Sequence, residues 1–122
     1  MEDQTKKVVI VGSGSAGFAA ALAAKEAGLD PIIVESTGKL GGSSAMSGGG
    51  AWIPNSPVML RAGTTDSYEN ARKYMDITIG EVGPASSPQR RDTFLREGPK
   101  MVAWLEKLGF HFHYGKGYSD YY

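Results

Sequence analysis

The sequence has no cysteine, so disulfide bonds, thiolate metal sites and a thiol nucleophile are excluded. It also lacks an excess of charge of either sign. Thirteen basic residues balance thirteen acidic ones, which argues against nucleic acid and anionic membranes as partners. No apolar run is long enough to span a bilayer, and the N-terminal MEDQTKK is not a signal-peptide core. We therefore expect a soluble, cytoplasmic protein without a membrane span.

Glycine is the residue type in clear excess, with 17 residues in a chain of 122, about twice the usual share. The length suits one small domain, and residues 1–122 are treated as one portion of a domain. Many of the glycines fall in two segments, residues 12–17 and 41–50. In both segments the backbone therefore carries few large side chains, and the function of such a backbone has to be explained.

The first glycine segment lies between a predicted strand and a predicted helix. Lys7–Val11 (KVVIV) is a continuous apolar run typical of a strand buried on both faces. Residues 18–27 are rich in alanine and favour a helix, which Gly28 ends. Residues 32–34 then form a second short strand. This order predicts a βαβ unit with parallel strands and a right-handed crossover.

Within this unit, the GSGSAG segment matches the GxGxxG fingerprint of dinucleotide binding. Gly12 permits a tight turn, Gly14 lets a pyrophosphate approach the backbone, and Gly17 lets the helix pack closely on the sheet. The helix N-terminus then offers N–H groups to the phosphates. Glu35 ends the second strand, where a carboxylate accepts hydrogen bonds from both ribose hydroxyls of an adenosine and disfavours NADP. The fingerprint by itself does not separate FAD from NAD.

The second glycine segment, Gly41–Trp52 (GGSSAMSGGGAW), begins six residues after the predicted ribose carboxylate. One interpretation is a flexible linker, but a linker has no reason to start so close to a nucleotide site. Small side chains and many backbone donors suit a chain that runs beside the pyrophosphate, ribitol and ring system of FAD. The segment favours FAD, because an NAD-binding protein gives it no clear task. The predicted contacts come from Ser43, Ser44, Ser47 and residues 48–50.

The remainder of the chain is predicted to be mainly helical. Residues 38–57 are expected to be irregular, and residues 66–82 form an amphipathic helix. A further helix begins at Ser87-Pro88 and is broken or kinked at Gly98-Pro99 before it continues to residue 108. The alternation of apolar and polar residues in FHFHY, residues 110–114, predicts a half-exposed strand.

Other distinctive side chains in this region are interpreted as structural. Trp52 is expected to pack in the core, with a substrate contact as the alternative, and the Arg90-Arg91 pair is expected on a helix surface. His111 and His113 share one face of the predicted strand and could chelate a metal. No nearby carboxylate or cysteine completes such a site, so no metal is expected.

Several segments together resemble the N-terminal part of the FAD-dependent fumarate reductase and 3-ketosteroid dehydrogenase superfamily. They are VVIVGSGSAGFAAALAAKEAG, VES and GGSSAMSGGGAWIPN. The segments GGSSAMSGGGAWIPNSPVM, IGEVGPASSPQRRDTFLREGPKMVAWLE and GYSDYY are nearer to the ketosteroid dehydrogenase branch. The resemblance implies an α/β fold, the N-terminal part of a Rossmann-like FAD-binding domain. It consists of a βαβ unit, a glycine-rich cofactor loop and then helices, and it is incomplete without further chain.

The resemblance also assigns roles to individual residues. Tyr121 is implied as a catalytic residue near the substrate, with Tyr118 and Tyr122 as the alternatives, and its hypothesised role is to hydrogen-bond a tyrosine base supplied by a later part of the polypeptide. The implied cofactor-binding residues are Gly12, Gly14, Ser15, Ala16 and Gly17 at the pyrophosphate, Glu35 and Ser36 at the ribose, and Gly42, Ser43, Ser44, Met46, Ser47, Gly48 and Gly49 along the pyrophosphate and flavin.

The activity implied by the resemblance is dehydrogenation of a carbon–carbon bond next to a ketone, with FAD as the hydride acceptor. The implied substrate is a small apolar ketone such as a steroid, and the implied partner is a complementary polypeptide that completes the FAD and substrate domains. Two alternatives remain open at this point. One is a fragment of a fumarate-reductase-like flavoprotein, and the other is a non-catalytic nucleotide-binding piece that needs a partner chain.

Overall fold

The structure is a computed structural model, and it describes residues 6–118. The chain divides into two compact units, Met1–Ala51 and Trp52–Tyr122. The first unit contains β1 (Lys7–Val11), α1 (Ser15–Glu26), β2 (Asp30–Val34) and α2 (Gly42–Met46). The second contains α3 (Pro57–Arg61), α4 (Tyr68–Ile79), a 3-10 turn (Pro84–Ser86) and α5 (Pro88–Lys107).

In the first unit, β1 and β2 are parallel neighbours joined by α1. Their register runs from the pair Lys7–Asp30 to the pair Val11–Val34. The helix α1 lies against both strands, and Gly28 follows it with a φ of 75°, a left-handed conformation that glycine adopts without strain. The predicted βαβ unit with parallel strands is confirmed.

The prediction that β1 is buried on both faces is wrong for the described chain. Val9 and Val11 are 62% and 86% exposed, and Ile32 and Val34 of β2 are 40% and 43% exposed. The intervening residues are half-buried, because α1 covers that face of the sheet. Parallel sheets normally have both faces covered, and within residues 6–118 this one has cover on one face only.

In the second unit, α4 and α5 pack around a small apolar core. Its buried members are Ala71, Met75 and Leu95. Trp52 packs against this core, and its ring stacks on Phe94 with centroids 6.2 Å apart and planes 7° apart. The large apolar area that an aromatic ring buries is consistent with the predicted packing role of Trp52.

Of the two outcomes predicted at Gly98-Pro99, a break or a kink, the break is wrong, because α5 continues through Pro99 to Lys107. Proline inside a helix costs one backbone hydrogen bond and about 3 kcal/mol. Buried residues on both sides of Pro99 offset this cost: Leu95 and Val102 are 5% and 4% exposed. Gly98 lies so close to Ile53 that a Cβ there would be 3.0 Å from the Ile53 Cγ2 atom. Packing against this face therefore overrides the local helix-breaking signal.

Two other local predictions also fail. Residues 38–57 are not wholly irregular, since they contain α2 (Gly42–Met46). No strand is present at residues 110–114 in the described chain, although the rings of Phe110 and Phe112 stack 6.4 Å apart. Alternation of apolar and polar residues does not make a strand without a neighbouring backbone to pair with.

Of the two arginines expected on a helix surface, Arg91 is instead buried, with 3% of its area exposed. Its guanidinium lies 3.3 Å from Asp76 and 3.6 Å from Glu81. It also donates a hydrogen bond to the Gly80 carbonyl at 3.3 Å, where α4 ends. These acceptors lie in α4 and the residues directly after it, so the sequence around Arg91 does not predict them.

The described chain offers no support for a membrane crossing: none of its helices is both long enough and apolar enough.

Candidate functional site

The turn between β1 and α1 is shaped by two glycines. Gly12 has a φ of 93°, and its N–H donates to the Val34 carbonyl at 2.8 Å. A Cβ on Gly17 would lie 2.0 Å from the Gly12 carbonyl oxygen. The turn therefore requires glycine at both positions, since only glycine adopts positive φ freely and since no side chain fits against that oxygen.

The N-terminus of α1 is open to an anion. Its N-cap, Gly14, provides no side-chain hydrogen bond, and no acidic residue lies in the first turn. The N–H of Ser15 donates to the Ser44 hydroxyl at 3.2 Å, and the two hydroxyls are 3.0 Å apart. The unpaired N–H groups and the helix dipole of such a terminus favour negatively charged groups.

The second glycine segment meets this turn directly. A Cβ on Gly42 would lie 3.4 Å from the Gly14 Cα atom, and Gly42 itself has a φ of 53°. The preceding Gly41 has a φ of 112°, and a Cβ there would lie 2.4 Å from the Ala45 Cβ atom. The two glycine-rich segments, which the sequence separates by more than twenty residues, are therefore in contact at their backbones.

The carboxylate of Glu35 lies at the end of β2 and accepts hydrogen bonds on both oxygens. Its Oε2 atom accepts from the Ser13 hydroxyl at 2.6 Å and from the Ser13 N–H at 3.0 Å. Its Oε1 atom accepts from the Ser36 hydroxyl at 3.1 Å, and from the N–H and hydroxyl of Thr37 at 3.0 and 3.4 Å. These donors, the Ser13 hydroxyl first, lower the pKa of Glu35 from 4.5 to about 2. The carboxylate is thus ionised at neutral pH.

This lowered pKa predicts an acid-sensitive contribution of Glu35 to stability. Because the carboxyl is ionised more readily in the folded chain, its contribution is fully present above pH 4.5 and is lost as the pH falls toward about 2. Urea unfolding at pH 6 and pH 3 should show a larger loss of stability for the parent than for Glu35→Gln. Equal losses in the two proteins would show that the Glu35 hydrogen bonds do not stabilise the fold.

Ser13, whose role the sequence pattern does not predict, connects these groups. It is the largest fully buried side chain in the described chain, with 0% of its area exposed. Its hydroxyl donates to Glu35 and accepts a hydrogen bond from the Gly41 N–H at 2.9 Å. The GxGxxG pattern allows any residue at position 13. The sequence feature that could have indicated the role of Ser13 is a hydroxyl side chain directly after the first glycine.

A family model described as the FAD binding domain matches residues 7–120. The chain belongs to this FAD-binding family. The match confirms the resemblance to a flavoprotein and confirms FAD, rather than NAD, as the predicted cofactor.

Two dehydrogenases with named substrates are similar in sequence to this chain. 3-Oxosteroid 1-dehydrogenase from Mycolicibacterium smegmatis is 45% identical over 123 residues, which is 100% of this chain and 21% of the relative. 4-Oxocyclohexanecarboxylate 2-dehydrogenase from Sinomonas cyclohexanicum is 34% identical over 122 residues, which is 96% of this chain and 20% of the relative. The chain spans about a fifth of the length of these curated relatives.

A solved structure is similar as well. It is the crystal structure of 3-ketosteroid Δ1-dehydrogenase from Sterolibacterium denitrificans in complex with 1,4-androstadiene-3,17-dione. The similarity has a TM-score of 0.70 at 35% sequence identity and covers 84% of this chain and 18% of that chain. Together with the two-stranded parallel sheet, it confirms an α/β portion of an FAD-binding domain.

The structure places most of the predicted site residues of this FAD-binding chain in the first unit. Ala16 lies in the first turn of α1. The Ser47 hydroxyl donates to the Ser44 carbonyl at 2.8 Å and accepts from the Gly49 N–H at 3.1 Å. Met46 is 88% exposed. Residues 42–50 are all exposed and form one strip, called the exposed glycine strip below.

The predicted catalytic residue, Tyr121, lies outside the described residues. His111 and His113 are exposed, and residues 6–118 contain no group of three or more metal-ligating side chains.

Proposed function

We propose that this chain is the FAD-binding part of a longer dehydrogenase that oxidises a carbon–carbon bond next to a ring ketone, with 3-ketosteroids as the substrate class. One observation carries this proposal: the whole chain aligns with 3-oxosteroid 1-dehydrogenase at 45% identity. The relative that acts on 4-oxocyclohexanecarboxylate supports the chemistry, since a ketone on a six-membered ring is common to both names.

The pyrophosphate of FAD is proposed to lie on the N-terminus of α1. The residues fit an anion here, because Gly14 supplies no capping side chain and the first turn has no acidic residue. Ala16 and Gly17 belong to that turn and offer backbone N–H groups, and the Ser15 N–H would exchange its Ser44 acceptor for a phosphate oxygen. The Ser44 hydroxyl, 3.2 Å from the Ser15 N–H, is placed to contact the same phosphates.

The adenosine ribose is proposed to lie on Glu35. Since its Oε2 atom already accepts two hydrogen bonds from Ser13, the ribose hydroxyls bind to Oε1. There they replace the longer hydrogen bonds from the hydroxyls of Ser36 and Thr37, at 3.1 and 3.4 Å. An ionised carboxylate at this position repels a 2′-phosphate, which keeps NADP out of the site.

The exposed glycine strip is proposed to run along the ribitol and flavin. Gly48 and Gly49 have no atom within 4 Å of an added Cβ, so a flat ring system can approach the backbone there. The Met46 side chain is the large apolar group of the strip, and a thioether packs well against an aromatic ring. The remaining contacts are proposed for Gly42, Ser43 and Ser47.

The bound FAD supplies the hydride acceptor for the dehydrogenation. The residues of this chain bind and orient it, and Tyr121 is proposed to assist removal of the proton next to the ketone. The resemblance of SDYY to the ketosteroid dehydrogenase branch supports that role. A hydroxyl that donates a hydrogen bond to a phenolate favours the ionised form of a neighbouring tyrosine base.

The proposed assembly includes further polypeptide that covers the exposed face of the sheet and forms the substrate domain. The exposure of Val9 and Val11, 62% and 86%, supports this, because contiguous exposed apolar residues mark an interaction surface. The expected cytoplasmic location remains part of the proposal.

The proposed activity is tested by mixing the complete flavoprotein, without oxygen, with a 3-ketosteroid that is saturated at the bond to be oxidised. The yellow colour of oxidised flavin should disappear at a rate that depends on steroid concentration, and the steroid product should contain one new double bond. If the steroid leaves the colour unchanged while an unsaturated acid reoxidises chemically reduced flavin, the fumarate-reductase-like alternative replaces the proposal.

A further inference from the structure

The hydroxyl of Ser13 both donates and accepts a hydrogen bond within the fold. It donates to the Glu35 carboxylate at 2.6 Å and accepts from the Gly41 N–H at 2.9 Å. Its side chain is fully buried, and the two bonds themselves are partly buried. Buried, charge-assisted hydrogen bonds of this kind are short and strong.

These three residues belong to three different segments of the proposed cofactor site. Ser13 lies in the turn that faces the pyrophosphate, and Glu35 ends the strand that reaches the ribose. Gly41 precedes α2 and the exposed glycine strip. One hydroxyl therefore connects the phosphate turn, the ribose carboxylate and the flavin-facing strip, although Ser13 is 22 residues from Glu35 and 28 from Gly41 in sequence.

The two oxygens of Glu35 are not equivalent. Oε2 receives both hydrogen bonds of Ser13, which hold the carboxylate in one orientation. Oε1 lies on the side of Ser36 and Thr37. The hydroxyls of these two residues are exposed, and ribose hydroxyls can replace their hydrogen bonds to Oε1. Loss of the Ser13 hydroxyl would release this orientation and would leave the Gly41 N–H without its acceptor, a costly state for a partly buried donor.

We propose that Ser13 is a positioning residue for FAD binding, which holds the Glu35 carboxylate in one orientation with Oε1 toward the ribose and anchors Gly41 at the start of the glycine strip. This inference rests on the proposed placement of FAD. Ser13 does not contact the cofactor in this proposal and acts through Glu35 and Gly41.

The test compares variants of the complete flavoprotein by FAD titration of the apoprotein between pH 4 and pH 8. Ser13→Ala should bind FAD about tenfold more weakly at neutral pH, the size of effect expected for a lost hydrogen bond to a charged group. Its affinity should fall further below about pH 5, since without the Ser13 hydroxyl the pKa of Glu35 moves back toward 4.5. The parent should show no such fall, because its carboxylate stays ionised.

Two further variants make the result specific. Ser13→Cys keeps the shape of the side chain, slightly enlarged, with a weaker donor, and its affinity should fall between those of the parent and Ser13→Ala; it also replaces Ser13→Ala if that protein does not fold. Ser56→Ala removes the hydroxyl of another buried serine, 5% exposed, which caps α3 in the second unit. It should retain the affinity and pH profile of the parent.

The possible outcomes distinguish a failure of the Ser13 role from a failure of the proposed FAD placement. Parental affinity and pH profile in Ser13→Ala, together with weak binding by Glu35→Gln, would overturn the role of Ser13 and leave the FAD placement intact. Parental binding by Glu35→Gln would instead overturn the ribose placement. The same pH-dependent loss in Ser56→Ala would show a general stability effect and would also overturn the positioning role.

Discussion

Replacement of Gly17 by alanine should abolish stable FAD retention and should lower the free energy of unfolding by about 3 kcal/mol, the upper end of the range for overpacking. The added Cβ would lie 2.0 Å from the Gly12 carbonyl oxygen. That oxygen belongs to the backbone and cannot turn aside as a flexible side chain could. Either α1 moves away from the sheet or the phosphate turn distorts, and both changes displace the N–H groups proposed to bind the pyrophosphate.

Gly38→Ala is the matched control for this change, because an added Cβ there has no atom within 4 Å. Stability should change by less than about 0.5 kcal/mol, as is usual for surface substitutions. Chemical denaturation gives the stability of each apoprotein, and gel filtration in the presence of FAD gives the retained flavin. If Gly17→Ala retained flavin and stability as Gly38→Ala does, the close approach at the turn would not be required.

Replacement of Tyr121 by phenylalanine should slow flavin reduction by the proposed steroid substrate about tenfold or more, a part of the roughly 10²–10⁴-fold that positioned proton transfer contributes. The change keeps the ring and removes the hydroxyl alone. Phenols ionise near pH 10, so a tyrosine base at neutral pH needs a neighbouring donor to favour its ionised form. Removal of that donor should therefore affect the rate of the chemical step and leave the FAD content unchanged.

The same substitution at Tyr114 provides the control, since this tyrosine is 40% exposed and lies outside SDYY. Single-turnover reduction without oxygen separates the chemical step from steroid binding, and the steroid concentration dependence reports the binding. If Tyr121→Phe reduces its flavin as fast as Tyr114→Phe, the proton-transfer role belongs to another residue. Tyr118 would then be the next to substitute.

The parts of the fold that could be predicted are those with a strong local signal. The β-branched run Lys7–Val11, the alanine-rich helix and Gly28 were each predicted close to their observed bounds. The same local reasoning failed at Pro99 and at residues 110–114. In the first case packing on both sides of the proline sustains the helix, and in the second no described strand pairs with the segment.

The composition and spacing of the site residues predicted their role in nucleotide binding. They did not predict which of these residues contact each other. The strand-end position of Glu35 and the glycines of the fingerprint predicted a nucleotide site, and the small residues after Gly41 favoured FAD. Arg91 was expected at a surface and is buried against Asp76 and Gly80. Its sequence neighbourhood is that of an ordinary exposed helix, so its partners could not be read from it.

By itself, the sequence determined the glycine turn and the parallel βαβ unit, because each depends on residue types at short, regular spacing, and its resemblance to known flavoproteins indicated the FAD-binding family. Only the tertiary structure decided that Ser13 holds Glu35 and Gly41, and that Ser44 reaches Ser15 across 29 residues. The carboxyl ends of neighbouring parallel strands meet at one edge of a sheet, so folding brings these distant polar groups within hydrogen-bonding distance. Which hydroxyl then meets which carboxylate depends on angles and distances of a few tenths of an ångström, and no spacing rule encodes them.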